Sequence, residues 1–195
     1  MLASRTRPEN EALPWVETDV SSPESVAALF AAARGRGPVD VLVNNAGLAY
    51  PGPFAEQTVE QIRETLDVDL LGAMLCAREA LAGMLELRRG LVVNVGSDLS
   101  RRYAPDLAVY TAAKFGLLGF SGALLRGVKD AGVKVTAVLP GVVDTAFGGF
   151  GEEGSRGERH GMPAAHLAEQ IAALLDLPEH VVVDEITLHP VGQEF

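Results

Sequence analysis

The stretch Val39-Asp40-Val41-Leu42-Val43-Asn44-Asn45-Ala46-Gly47 decides the fold. Val39 to Val43 is a short apolar run rich in β-branched residues, bounded by Gly35 to Pro38 before it and by Asn44-Asn45-Ala46-Gly47 after it. That combination predicts a buried strand ending in a polar turn. The same grammar recurs downstream: Leu91 to Val95 runs into Gly96 and Ser97, and Val133 to Leu139 is stopped by Pro140-Gly141. Upstream, Leu13 to Val20 reads as a strand with Asp19 near its end, and Met1 to Ser4 as another. A last strand is expected over Val181 to Leu188.

Helices alternate with these strands. Ser22-Pro23-Glu24 combines a serine cap, a first-turn proline and an early carboxylate, which predicts a helix through Val26–Ala33. A long helix is predicted over Val59 to about Leu87, with Leu66, Leu70, Met74 and Leu81 among its apolar positions. Others are predicted over Ala108 to about Val128 and over Ala164 to Leu175. The stretch from Gly148 to Gly161 is glycine-rich and charged with no apolar period, so residues 148–162 are expected to form a mobile loop over the substrate. Alternating strands and helices, with wholly apolar strands, imply an α/β fold: a doubly wound parallel sheet covered by helices on both faces. One domain over residues 1–195 is expected. Ligands of such sheets bind beyond the carboxyl ends of the strands, where Asp19, Asn45, Ser97 and Val143 fall.

Composition narrows the function. The 195 residues are 48% hydrophobic, enough for a packed core, and the formal net charge of −10 argues against nucleic acid or anionic membrane as partners. Cys76 is the only cysteine, so no intrachain disulfide forms. The first five residues lack the apolar stretch of a signal peptide, and no segment is read as approaching the roughly 20 apolar residues of a membrane span. A soluble cytoplasmic protein is the expectation. His160, His166, His180 and His189 have no ligand spacing, so no metal is expected.

Tyr110 and Lys114 lie four residues apart on a predicted helix and share a face. A tyrosine with a free pKa of about 10 is a poor acid–base group at neutral pH, and a nearby ammonium stabilises its phenolate. The pair suits proton transfer; taken alone, it reads equally as a packed tyrosine beside a solvated lysine. Ser97, thirteen residues earlier at a strand end, alters that balance, because its hydroxyl can hydrogen-bond a substrate carbonyl oxygen.

At this point the chain resembles the short-chain dehydrogenase/reductase family, whose fold is Rossmann-like. Asn44-Asn45-Ala46-Gly47 is similar to the family's motif after the fourth strand, and Asp19-Val20 to the pair that flanks the adenine. Ser97, Tyr110 and Lys114 match the catalytic positions at the usual spacing, and Pro140-Gly141-Val142-Val143-Asp144-Thr145 resembles the segment that holds the nicotinamide. The resemblance implies hydride exchange between a nicotinamide and a carbonyl or alcohol carbon. Ser97 would orient the substrate oxygen and Tyr110 would give or take its proton. Lys114 would lower the tyrosine's pKa and hold the ribose. Asn45, Ala46, Gly47, Pro140, Gly141, Val143 and Thr145 would line the cofactor. Homodimers or homotetramers would form through the two long helices.

Two departures from the family pattern stand out. The family opens with a strand, then Thr-Gly-x-x-x-Gly-x-Gly, then a helix whose amino end binds pyrophosphate. No such loop precedes Asp19, and Met1 to Arg5 resembles the end of the family's second strand. The expectation is therefore a sheet incomplete at its amino end, with two strands short of a ladder partner, and a natural chain that starts upstream. The second departure is Asp69, where the family usually has an asparagine that serves a proton relay beyond the lysine. Cofactor choice rests on Ser4, Arg5 and Arg7: an acidic residue for NAD is lacking, and guanidinium groups favour the 2′-phosphate of NADP, with NAD the less favoured alternative. Against the enzyme stands a second reading, a non-catalytic remnant of the fold acting as a subunit or binding module.

Overall fold

The computed structural model describes residues 1–8, 12–145, 147 and 161–193. The expected loop over 148–162 therefore lies outside the described residues, apart from Gly161 and Met162. In chain order the regular elements are β1 (Leu2–Ser4), β2 (Trp15–Glu17), α1 (Pro23–Arg34), β3 (Val41–Asn44), α2 (Val59–Leu66), a π-helical turn (Asp67–Gly72) and α3 (Ala73–Leu87). They continue with β4 (Gly90–Val95), α4 (Ala108–Val128), β5 (Val133–Pro140), β6 (Val143–Asp144), β7 (Met162–Pro163), α5 (Ala164–Ala173) and β8 (Glu185–Leu188).

Local chemistry sets the helix starts. The Ser22 side chain accepts from the Ser25 N–H at 3.1 Å, with Pro23 in the first turn as the sequence predicts. Thr58 and Gln61 form a reciprocal capping box that starts α2. The chain reverses after α3 through Arg88 in the left-handed region (φ 53°), and Gly90 follows at φ 156°. The long helix expected over 59–87 is continuous but not uniform, since its centre widens into the π turn.

Four strands form a parallel sheet in the order β3-β4-β5-β8. Registers such as Asn44↔Asn94 and Val95↔Val138 bring the carboxyl ends of β3, β4 and β5 to the same edge. Successive residues of β4 point to opposite faces. Val92 packs with Val26 and Phe30 of α1, Cys76, Ala80 and Met84 of α3, and Leu125 of α4. Leu91 and Val93 pack with Val138 of β5 and Leu167 of α5 on the other face. Helices on both faces make the sheet doubly wound.

Two expectations need correcting. β3 is not buried on both faces: Val41 and Val43 remain exposed. Their register partners Leu91 and Val93 lie under α5, which does not reach the outer strand. Secondly, one helix does have the length and apolar composition to cross a bilayer: the continuous helical stretch Pro105–Ala131, which contains α4. Part of its apolarity serves the core, where Val109, Ala113, Leu117, Leu125 and Val128 are buried. β1 and β2 form a separate parallel pair, Leu2↔Trp15 to Ser4↔Glu17. As the sequence led us to expect, β1 and β3 each have a single ladder partner among the described residues.

Candidate active site

β4 ends at Val95, and Gly96 then brings Ser97 to the sheet edge. A Cβ at residue 96 would stand 2.7 Å from Leu139 Cδ2, so glycine is what lets the chain pass beside β5. Ser97 caps a short turn, its Oγ accepting from the Leu99 N–H at 3.2 Å and donating to Asp98 Oδ1 at 3.2 Å. The first two turns of α4 present Tyr110 and Lys114, both buried, toward this edge, with the Tyr110 phenol near enough to Ser97 for the serine hydroxyl to bear on its ionisation. The sequence-predicted trio therefore meets at one point.

Lys114 is held from two sides. Its Nζ donates to Val95 O at 3.1 Å and lies 3.0 Å from Asp69 Oδ1 in an ion pair that is almost wholly buried. Asp69 Oδ2 accepts from the Leu48 N–H at 2.9 Å. Gly47 fits against this pair, since a Cβ there would meet Asp69 Oδ1 at 2.9 Å. Burial pushes the Asp69 carboxyl above the usual carboxylate range, against the opposing pull of the Lys114 charge. Tyr110 is pushed well above a free phenol, first by burial and then by the negative charge of Asp69, while the nearby Ser97 hydroxyl works the other way.

The remaining expected residues surround the same edge at different distances. Asn45 and Ala46 are exposed just beyond β3. Gly141 follows β5, Val143 lies in β6, and Thr145 Oγ1 accepts from the Phe147 N–H at 3.4 Å. Phe147 packs on the Tyr110 ring at a centroid distance of 5.6 Å. Asp19 is exposed beyond β2; its carboxylate accepts from the Ser21 N–H and hydroxyl, which holds its pKa below the usual range. Val20 packs against Gly72, where a Cβ would come within 2.8 Å of Val20 Cγ2. Arg5 pairs with Glu64 of α2 at 3.3 Å, both side chains substantially exposed. Arg101, between the serine and the tyrosine, is taken up by a bidentate contact with Glu185 at 2.6–3.1 Å.

Sequence reading missed a buried polar chain beneath the site. Asn44 Nδ2 donates to Ala73 O and to Asn94 Oδ1, Asn94 Nδ2 donates to Ser121 Oγ, and Ser121 donates to Leu117 O, at 2.7–3.1 Å. It stitches β3 and β4 to α3 and α4. The one signal for it is two asparagines in register at adjacent strand ends, Asn44 and Asn94. The residues expected to hold a cofactor share one feature that suits a dinucleotide: the exposed Asn45 and Ala46, the Ser97 turn and the Pro140–Val143 segment leave three adjacent strands at the same edge.

Comparison with known proteins agrees with this geometry. A sequence model described as short chain dehydrogenase matches residues 2–153. The chain is 40% identical over 133 residues to the cis-4-hydroxycyclohexanecarboxylate dehydrogenase of Sinomonas cyclohexanicum, covering 67% of this chain and 53% of that protein. It is 33% identical over 182 residues to the glycine betaine reductase of Emericella nidulans, covering 89% of this chain and 14% of that protein. It therefore spans about half of one relative's length and a small part of the other's. An alcohol dehydrogenase from the archaeon Thermococcus sibiricus, solved with 5-hydroxy-NADP, superimposes with a TM-score of 0.85 at 32% identity, covering 92% of this chain and 75% of that one.

Proposed function

The chain belongs to the short chain dehydrogenase family, and from that premise we propose that it is an oxidoreductase moving a hydride between NADP(H) and a carbonyl or alcohol carbon. The observation that carries this reading is the meeting of Ser97, Tyr110 and Lys114 at the carboxyl end of β4, with Lys114 fixed by Asp69 and Val95.

When bound, the nicotinamide supplies or accepts the hydride. The protein's own groups do the rest. Ser97 donates its hydroxyl proton toward the substrate oxygen and holds it beside Tyr110. Tyr110 Oη gives its proton to that oxygen in reduction and takes one in oxidation, a role worth about 100- to 10,000-fold in rate. Lys114 has three N–H donors; Val95 O engages one and Asp69 is paired with its charge, so donors remain for the ribose. Asn45, Ala46, Gly47, Pro140, Gly141, Val143 and Thr145 would hold the nicotinamide cofactor, and Asp19 and Val20 its adenine. The exposed guanidinium of Arg5 beside Asp19 favours NADP over NAD, and the NADP-type ligand of the archaeal relative supports that choice. One dinucleotide-binding domain, a cytoplasmic location and self-association through the long helix that carries Asp69 and through α4 complete the reading. Exposed Leu71 and Phe115 support the last of these.

The test is NADPH binding by fluorescence titration, paired with NADPH oxidation in the presence of aliphatic and alicyclic ketones, 4-oxocyclohexanecarboxylate among them. Tyr110→Phe is expected to keep the NADPH affinity within about twofold and lose about 100- to 10,000-fold in rate. A chain that neither binds NADPH nor reduces any carbonyl would favour the non-catalytic subunit or binding module.

A further inference from the structure

Gln193 belongs to none of the motifs above, yet its side-chain amide joins two segments of the site. Gln193 Oε1 accepts from the Val142 N–H at 2.9 Å, and Nε2 donates to Asp98 Oδ2 at 2.8 Å. Asp98 directly follows Ser97, whose hydroxyl donates to its Oδ1 at 3.2 Å. A continuous path therefore runs from the Ser97 hydroxyl through Asp98 and Gln193 to the backbone of the Pro140–Val143 segment.

The chain after β8 is shaped to deliver this amide. The Gly141 N–H donates to Leu188 O at 2.7 Å, and a turn closed by the Gln193 N–H on Pro190 O at 3.0 Å brings the side chain back over residue 141. Gly141 makes room: a Cβ there would stand 2.1 Å from Gln193 Oε1 and 2.7 Å from His189 Cδ2. His189 Nε2 approaches Asp98 Oδ2 to 3.6 Å from the same strand end. A neutral amide suits the position, because it offers an acceptor to an N–H on one side and a donor to a carboxylate on the other.

We propose that Gln193 is a positioning residue, a clamp that sets the Ser97 hydroxyl and the Pro140–Val143 segment relative to one another through Asp98. The inference rests on the hydride-transfer reading. Ser97 has a single proton, and while Asp98 accepts it the serine offers a substrate oxygen only lone pairs. A hydrogen bond from Gln193 draws on the Asp98 charge and weakens its hold, which releases the serine proton to a carbonyl oxygen. Asp98 also raises the Tyr110 pKa, so its charge bears on both groups of the proton-transfer pair.

The test uses the full chain with Gln193→Ala and Gln193→Glu, and two readouts: Val142 amide exchange by NMR, and the pH profile of kcat with the best carbonyl of the panel above. The titratable groups facing the amide are Asp98 and His189, with Tyr110 beyond Asp98; all are common to the variants and the parent. In Gln193→Ala, Val142 exchange is expected to rise about tenfold or more while β5 amides keep their protection, and kcat to fall about tenfold, the worth of one charge-assisted hydrogen bond. In kcat, Gln193→Glu is expected to match the alanine variant at pH 8, where it keeps the acceptor for the Val142 N–H but has no donor for Asp98, and to recover toward the parent at pH 5.5, where a protonated carboxyl can donate to Asp98. Unchanged Val142 exchange, or a glutamate variant that tracks the parent at every pH, overturns the proposal. A parent chain that reduces no carbonyl while Val142 exchange responds as expected would instead sink the hydride-transfer reading and leave the clamp standing as structure.

Discussion

Lys114 is ion-paired with a carboxylate: Asp69 Oδ1 lies 3.0 Å from its ammonium, which also sits 5.4 Å from the Tyr110 ring centroid. The charge of Asp69 raises the Tyr110 pKa, on top of the larger effect of burial. Asp69→Asn removes that charge, so the tyrosine should lose its proton at lower pH. In the alcohol-oxidation direction, where the phenolate is the base, the rising limb of the kcat profile should move to lower pH. A profile that stays in place would mean that Asp69 has no electrical influence on the tyrosine. At Cys76, burial pushes the thiol up to about 11, so the thiolate that alkylating agents need is scarce. Iodoacetamide at pH 8 is expected to leave the native protein unmodified on the timescale in which a free thiol reacts fully, which mass spectrometry checks directly.

Among the elements, the π turn Asp67–Gly72 matters most to the site, because it carries Asp69 to Lys114. Single π turns often mark functional sites, and their looser hydrogen-bond spacing has no composition signature, which is why the sequence pointed only to an uninterrupted helix. Strands and caps were legible because each has a local cause: β-branched apolar runs for β4 and β5, and Ser22-Pro23-Glu24 for α1. The meeting of Ser97, Tyr110 and Lys114 at one sheet edge was legible for the same reason, through spacing on one helix and one strand end. The polar chain from Asn44 to Ser121 was not, since its members pair across positions 27 and 50 residues apart. Gly47→Ala offers a sharp test of how closely these elements meet. A methyl 2.9 Å from Asp69 Oδ1 must displace the buried pair, at a cost of about 1–3 kcal/mol for overpacking. Urea unfolding should show that loss, whereas Gly83→Ala, which meets nothing within 4 Å, should not.

Over the whole molecule, the core lies between the four-stranded sheet and its helices, and Met84 is among its largest fully buried side chains. Met84→Ala should cost about 2–5 kcal/mol in chemical denaturation, with no change in the pH profile of any activity, since Met84 packs far along α3 from the Tyr110 pair. Parallel order was readable from strand–helix alternation. The exposure of β3 was not, because it depends on how far α5 reaches across the sheet, and no property of the β3 residues encodes that. Gln193 was invisible for a similar reason: only the path of the chain after β8 brings it back to Asp98 and Val142.

Isotopic labelling tests for direct hydride transfer at the Tyr110 edge. Reduction of a ketone with NADPH deuterated at the transferring C4 position should yield an alcohol carrying one deuterium on its carbinol carbon, and Tyr110→Phe should suppress that product in parallel with the rate. An alcohol free of deuterium, or labelled equally well without Tyr110, would contradict the account.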